Sequence, residues 1–327
     1  MKKIGVFTSG GDAPGMNACI RAATRTALYH GVEVVGILRG YQGMIEADFM
    51  PLESRSVSNI LHLGGTILRS ARSNDFRTPE GRAKAYQNLK EAGIDGIVAI
   101  GGDGTFTGAR IFQEEYPDLA IIGCPGTIDN DLVGTDFTIG YDTAINTAMD
   151  AIDKIKDTAN AHDRLFFVEV MGRDAGFIAL TSGIATGAEA VLIPESKTNL
   201  DALVETLEKG FQQKKTSSIV VVAEGDDAGG AFRIAEAVKE RSFNRYEIKV
   251  TILGHIQRGG RPTCMERVRA SQMGVAATNS LLAGETNKMI GIVNGKITKT
   301  PFEKAIKGHQ PVDEGLQEMA SILSSLA

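Results

Sequence analysis

Short runs of β-branched and apolar residues alternate with longer segments of helical period along the whole chain. Lys3–Thr8 predicts a strand, followed by a Gly-rich break and an amphipathic helix over Gly15–His30. Further strands are predicted at Val32–Leu38, Ile94–Ile100, Leu119–Gly123, Leu165–Val170, Ala190–Ile193, Ser218–Ala223, Lys249–Leu253 and Met289–Val293. Helices lie between most of them, as at Tyr141–Lys156 and Asp201–Gln212. This alternation is the pattern of βαβ units, so the predicted class is α/β, with a mostly parallel sheet covered by helices on both faces. Right-handed crossovers then put ligand sites at the carboxyl ends of the strands. No repeat of fixed period and no Pro- or Ser-rich linker marks a boundary. A chain of 327 residues predicts about two domains, with a boundary near residue 140 and a return to the first domain near residue 252.

Composition narrows the classes. The charge sum of −5 argues against a protein that neutralises nucleic-acid phosphates wholesale. Apolar runs such as Ile219–Ala223 fall far below the roughly 18 residues of a membrane span, and Gly10-Gly11-Asp12 interrupts the apolar start before it resembles a signal peptide. Cys19, Cys124 and Cys264 are odd in number and lack a CxxC spacing, which supports neither a disulfide framework nor zinc. A reduced cytoplasm is the expected location. Glycine is abundant, at 38 residues of 327 against a typical share of about 7%. With no collagen period, the excess points to loops that bring backbone close to a ligand.

Three predicted strand ends carry such loops, each with an Asp. They are Thr8–Asn17 (TSGGDAPGMN), Gly101–Thr105 (GGDGT) and Pro125–Asp131 (PGTIDND). One of them alone is a tight turn. Three on neighbouring strands point to phosphate, because glycine lets backbone N–H groups approach an anion and the following helix starts add partial positive charge. A carboxylate beside phosphate needs an intervening cation, so Asp103 among glycines suggests Mg²⁺. No Walker loop, GxGxxG after the first strand or protein-kinase signature is present, so arginines and backbone amides must hold the phosphate. Asp129 and Asp131 stand two apart. In extended backbone they face the same way, which suits either turn chemistry or a base with a supporting carboxylate. Arg21 and Arg25 form a like-charged i, i+4 pair, favourable only around a shared anion. Arg72, Arg164, Arg173, Lys249 and Arg258 are expected at element ends or loops, where arginine suits bidentate phosphate binding. His255 follows a strand and precedes Gly259-Gly260, and Met171-Gly172-Arg173 follows another.

Together with VMGR (Val170–Arg173) and LGHIQRGG (Leu253–Gly260), these motifs resemble, in order and over nearly the whole chain, the bacterial ATP-dependent 6-phosphofructokinases. The stretch after about residue 300 carries no motif. The resemblance implies two Rossmann-like three-layer αβα domains with the active site in the cleft between them. Residues 1–140 with about 252–305 would bind ATP, and 141–251 with about 306–327 would bind fructose 6-phosphate. It implies transfer of the γ-phosphoryl of MgATP to the 1-hydroxyl of fructose 6-phosphate. Asp129 would be the base and Asp103 the Mg²⁺ residue, with Thr127 and Arg173 stabilising charge on the moving group. Gly11, Arg72, Ser73, Gly102, Asp103, Gly104 and Thr105 would cradle ATP. Thr127, Ile128, Asp129, Met171, Gly172, Arg173, Glu224, His255, Ile256, Gln257 and Arg258 would hold the sugar phosphate. Arg164 and Lys249 would reach in from a neighbouring subunit of a cytoplasmic homotetramer.

Glycine at 104 and 126 favours ATP, since pyrophosphate-using relatives typically carry Asp and Lys there. The family's usual Arg at 249 is Lys here, which keeps the charge and loses the bidentate grip. An effector site for ADP or phosphoenolpyruvate is implied at Arg21, Arg25, Lys156, Gly187, Ala188 and Glu189. The family pattern is altered at Ser54–Arg55, at Lys156 and over Gln213–Ser217. The alternatives are a pyrophosphate-dependent phosphofructokinase, a lipid or NAD kinase, which would lack PGTIDND and GHIQRGG, and a non-catalytic sugar-phosphate-binding paralogue, against which Asp103, Asp129, Arg72 and Arg173 together speak.

Overall fold

The computed structural model of the protein describes residues 1–160, 164–212, 218–242, 247–307 and 310–324. The chain begins β1 (Lys3–Thr8), α1 (Met16–Tyr29), β2 (Glu33–Ile37), α2 (Tyr41–Glu46), β3 (Phe49–Pro51), α3 (Pro79–Glu91), β4 (Gly96–Gly101), α4 (Asp103–Glu115), β5 (Ala120–Thr127) and β6 (Ile139–Gly140). It continues through α5 (Tyr141–Asn160), β7 (Arg164–Val170), α6 (Phe177–Thr186), β8 (Ala190–Leu192), α7 (Leu200–Gln212), β9 (Ser218–Ala223), α8 (Ala231–Arg241) and β10 (Glu247–Ile252). It closes with α9 (Cys264–Leu282), β11 (Lys288–Val293), β12 (Lys296–Pro301), α10 (Phe302–Lys307) and α11 (Glu314–Ser324). Two compact units result, Met1–Thr143 with Arg258–Gln310 and Ala144–Gln257 with Pro311–Ala327.

The first unit holds a sheet of order β12-β11-β5-β4-β1-β2-β3, with β6 pairing β5. Its centre is parallel, and antiparallel pairs, β2–β3 and β11–β12, close the two edges. β4 is buried at every position, as a strand covered on both faces must be. On one face Phe7 and Ile97 pack with Phe76, Phe106, Phe112 and Phe302 from the covering segments. Each such aromatic side chain contributes about 1.5–3 kcal/mol by leaving water. Helices α1 and α9 pack against each other and α9 lies against β4 and β5, which covers the other face.

The second unit is a four-stranded, wholly parallel sheet of order β10-β7-β9-β8. Leu165, Phe167, Val220 and Val222 form one face and meet Leu203 and Leu207 of α7 and Ile234 and Val238 of α8. Its interior strand β9 is fully buried, whereas β10 at the edge alternates between exposed and partly covered residues.

The α/β class with mostly parallel sheets is thus what the alternation predicts. Several elements escape the pattern, among them the two-residue β6 and the helices α10 and α11. β3 is three residues long and ends in Pro, α2 is six residues, and β12 (KITKTP) is an edge strand too polar to announce itself. Among the described residues, no helix is long and apolar enough to cross a membrane.

Candidate active site

In the first unit, sheet register sets the three glycine loops side by side. Thr8 pairs with Ile100 and Ile100 with Cys124, so β1, β4 and β5 release their loops from one edge. The Ser9 N–H donates to the Ile100 carbonyl at 3.0 Å and ties the first loop to the end of β4. Helices α1 and α4 start from these loops at Gly15 and Gly102, and neither start is capped by a side chain. The Met16, Ala18 and Thr105 N–H groups are turned onto the Ala13, Gly15 and Gly102 carbonyls, and the helix dipoles favour an anion at such starts. Gly11, Asp103 and Gly104 are exposed on this edge, whereas Thr105 is buried. A Cβ on Gly104 would meet nothing within 4 Å, while one on Gly126 would lie 3.1 Å from the Gly101 nitrogen and 2.9 Å from Met16 Cε. Position 104 therefore borders open space and position 126 a filled one.

Asp129 is 4% exposed and sits in a rigid frame. Its N–H donates to Thr127 Oγ1 at 3.2 Å. The next residue, Asn130, has φ 55° and spends its amide on the loop. Nδ2 donates to the Asp136 carbonyl at 3.1 Å and Oδ1 accepts from the Thr138 N–H at 2.8 Å. Thr138 Oγ1 donates to the Thr127 carbonyl at 2.6 Å. This geometry corrects the expectation that Asp129 and Asp131 face one way in extended backbone. The chain bends at 128–129 and turns left-handed at 130, so the alternation rule does not apply. Ile128 is fully buried.

Arg258 lies against the first loop. Its Nη1 donates to the Asp12 carbonyl at 3.4 Å, and a Cβ on Gly11 would come within 2.4 Å of that nitrogen. Arg72 is exposed. Ser73 is engaged, donating to Gln42 Oε1 at 2.7 Å and accepting from the Phe76 N–H at 3.2 Å. Tyr41, which the sequence reading passed over, donates from its hydroxyl to the Thr105 carbonyl at 2.5 Å and stacks on Phe76 at 3.9 Å. Burial pushes its phenol well above the usual range. The sequence places Tyr41 just after a predicted strand, but nothing in its neighbours marks the contact with α4.

The second unit also gathers its candidates at strand ends. β10, β7 and β9 run in register up to Ile252, Glu169 and Val222, and they release Leu253–Gln257, Met171–Arg173 and Glu224. Glu224 Oε1 accepts from the N–H groups of Arg173 at 2.8 Å and Gly172 at 3.3 Å. This supports the left-handed backbone of Arg173 (φ 52°) and leaves its side chain exposed. A Cβ on Gly225 would stand 1.9 Å from the Arg173 carbonyl oxygen, so the turn admits no side chain. Gln257 is fully buried, accepting from the Met171 N–H at 3.3 Å and donating to the Gly254 carbonyl at 3.1 Å. His255 and Ile256 are exposed and Met171 is buried.

Arg164 and Lys249 are not part of this gathering. Arg164 opens β7, six residues before Val170, or about 20 Å along a strand. Lys249 lies within β10 rather than at an element end, which corrects the expected placement. Both pair with Glu247 of the same chain, at 3.0 and 2.9 Å, and Lys249 first, then Arg164, pull its carboxyl down to about 2. Of the effector candidates, Arg21 and Arg25 lie on α1 in the first unit. Burial and then the neighbouring Arg25 lower the Arg21 pKa. Lys156, Gly187, Ala188 and Glu189 lie in the second unit, where Lys156 Nζ donates to the Thr186 carbonyl and the Glu189 N–H to the Ile219 carbonyl. Ser54 and Arg55 are exposed, and Gln213–Ser217 lies outside the described residues.

The family described as Phosphofructokinase matches residues 3–281. The chain is 56% identical over 324 residues to ATP-dependent 6-phosphofructokinase 2 of Bacteroides thetaiotaomicron, covering 99% of each. It is 54% identical over 324 residues to ATP-dependent 6-phosphofructokinase 1 of Thermus thermophilus, covering 99% of this chain and 100% of that one. The solved phosphofructokinase of Saccharomyces cerevisiae superimposes with a TM-score of 0.90 at 36% identity over 99% of this chain. The match covers 48% of the yeast chain, so this chain spans about half its length. A pyrophosphate-dependent phosphofructokinase of Marinobacter aquaeolei shares the fold, with a TM-score of 0.84 at 21% identity over 99% of this chain and 92% of that one.

Proposed function

Because the chain belongs to the phosphofructokinase family, we propose that it transfers the γ-phosphoryl of ATP to the 1-hydroxyl of D-fructose 6-phosphate, giving fructose 1,6-bisphosphate and ADP. The observation that carries this reading is the buried carboxylate of Asp129, on a hydrogen-bonded loop whose Thr127 lies against Gly102 at the uncapped start of α4. Asp129 accepts the hydroxyl proton as the new O–P bond forms and the bond from the γ-phosphorus to the bridging oxygen of ADP breaks. Thr127 and Arg173 meet charge on the moving group. Gly11, Arg72, Ser73 and Gly102–Thr105 hold ATP, and the first unit serves as the ATP-binding part (residues 1–140 and about 252–305). Met171, Gly172 and Glu224 of the second part (141–251 and about 306–327), together with His255 and Arg258 of the returning segment, hold the sugar phosphate. Ile128, Ile256 and Gln257 support those contacts.

No group of three His, Cys, Asp or Glu side chains able to hold a metal occurs among the described residues. The single exposed carboxylate of Asp103 in a glycine loop nevertheless fits Mg²⁺ as phosphotransferases take it, through one or two carboxylates and the substrate's own phosphates. Bound with ATP at Asp103, magnesium supplies neutralisation of the phosphate charge. Arg164 and Lys249, a strand's length from the other sugar-phosphate candidates, are proposed to serve the site of a second copy in a cytoplasmic homotetramer. ADP or phosphoenolpyruvate is proposed to act at Arg21, Arg25, Lys156 and Gly187–Glu189.

Open space at Gly104 favours ATP over pyrophosphate as donor. A coupled assay of the purified protein with fructose 6-phosphate and each donor tests this. Turnover with ATP and none with pyrophosphate is expected, and turnover with pyrophosphate alone would overturn the reading. Repeating the assay with ADP and with phosphoenolpyruvate tests the effector site.

A further inference from the structure

Glu266, on the first turn of α9, is a buried carboxyl with no part in the chemistry above. It is 1% exposed, and its own N–H donates to the N-cap Thr263 Oγ1 at 3.1 Å. Oε2 accepts from the Thr143 N–H and the Thr143 hydroxyl, each at 3.2 Å, and the carboxyl also accepts from the Gly140 N–H. The Thr143 hydroxyl in turn accepts from the Thr263 N–H at 3.3 Å, which leaves its proton directed at Glu266. Every partner is a donor, the environment that suits a carboxylate.

These contacts join two parts of the candidate site. Gly140 pairs with Thr127 at the end of β5, so the segment held by Glu266 is the one against which the Asp129 loop is tied. A Cβ on Gly15 would come within 2.8 Å of Glu266 Cγ and 3.2 Å of Oε1, so the same side chain underlies the turn that starts α1. Thr143 is also the last residue before the chain enters the second unit.

We propose that Glu266 is a positioning residue whose ionised carboxylate fastens Gly140–Thr143, and through it the Asp129 loop, in the geometry needed for phosphoryl transfer. This rests on the function proposed above. Burial first, and the nearby Asp142 less, raise the Glu266 carboxyl to about 7 against its hydrogen bonds, so it titrates in the working range. The charged groups facing it are Asp142 at the start of α5, itself bonded to Thr263 and to Arg269 at 3.5 Å, and Arg269 on α9 over the Phe137 ring. The first turn of α1 and β6 carry no Asp, Glu, Lys, Arg or His.

The test is Glu266→Gln, isosteric and unable to ionise, measured from pH 6 to 8 for steady-state kinetics and amide hydrogen exchange beside the unaltered enzyme. At pH 8 kcat should fall about tenfold to a hundredfold, the scale set by a small misplacement of a reacting group, with both KM values nearly unchanged. Measured against the slowest core amides of the same protein, the Gly140 and Thr143 amides should exchange faster than in the unaltered enzyme. Both differences should shrink toward pH 6, where the natural side chain is itself protonated. A kcat ratio that stays constant with pH, or unchanged exchange at Gly140 and Thr143, overturns the proposal. Should the Gln variant not fold, Glu266→Asp carries the same readouts, with lower kcat expected at a retained pH dependence and an unaltered kcat against the proposal. If the natural enzyme transfers no phosphoryl group, the functional reading falls, and the exchange measurement alone decides whether Glu266 fastens the segment.

Discussion

The candidate edges of the two units are built by opposite means. In the first, strand register and glycine shape the loops after β1 and β4, helix starts stand uncapped, and the exposed positions carry almost no side chain. In the second, side chains shape the backbone. Glu224 and Gln257 spend their polar atoms on the main chain of Met171–Arg173 and Gly254, and this fixes the backbone that carries the exposed Arg173. An edge made of backbone amides suits a polyphosphate, which offers many equivalent oxygens. An edge that aims a few cations suits a single phosphate on a shaped sugar. On the function proposed above, the first edge would carry the chemistry and the second the discrimination.

Removing the base is the severest challenge to that division. Asp129→Ser is expected to cut kcat by about 10²–10⁴-fold, the usual contribution of a general base, with both KM values near those of the unaltered enzyme. Steady-state kinetics check this, and near-normal turnover would move the chemistry elsewhere. In the second unit, Gly225→Ala drives a methyl into the Arg173 carbonyl. Strain of this kind typically costs about 1–3 kcal/mol, read as a lower melting temperature together with a higher KM for fructose 6-phosphate and an unchanged KM for ATP. A matching rise in the ATP KM would dissolve the contrast.

Glu266→Gln has a stability signature of its own. The folded carboxyl at about 7 lies above its unfolded value of 4.5. Its contribution is therefore full below pH 4.5 and is lost as pH rises to about 7. The variant should gain on the unaltered protein by about 3 kcal/mol between pH 4 and pH 8, measured by denaturant unfolding at each pH. A flat difference would place the carboxyl outside the titrating range. The mildest change is Lys249→Arg, which restores a forked donor. It should lower the KM for fructose 6-phosphate about twofold to threefold, within the gain of a surface charge-assisted bond, and leave the ATP KM alone.

Sequence pattern reveals backbone-built edges better than side-chain-built ones. The apolar runs of β1, β4 and β9 and the glycine clusters after β1 and β4 are local features, visible in a handful of consecutive letters. The supports of the second edge join residues 86 and 51 positions apart, Gln257 to Met171 and Glu224 to Arg173, and no local period encodes such pairs. Glu266 has a faint local mark, the Thr263-x-x-Glu266 spacing of a helix start. That spacing predicts a cap bond and says nothing of Gly140 or Thr143. The bend at Asp129 was hidden for a related reason. Asn130 turns left-handed because its side chain is bonded at both ends, and those partners, Asp136 and Thr138, lie beyond the motif.

One border of the second sheet has a bearing on how the molecule survives in a crowded cell. Among the described residues β10 has a neighbouring strand on one side only, and Ile252 on it is half exposed. Such a fringe invites a stray strand to join and seed insoluble growth. Glu247 and Lys249 project charge from that fringe, so Lys249, proposed to serve a sister molecule's substrate, would with Glu247 also act as a guard against promiscuous sticking. Replacing both with valine would exchange a solution-loving protein for one prone to clump.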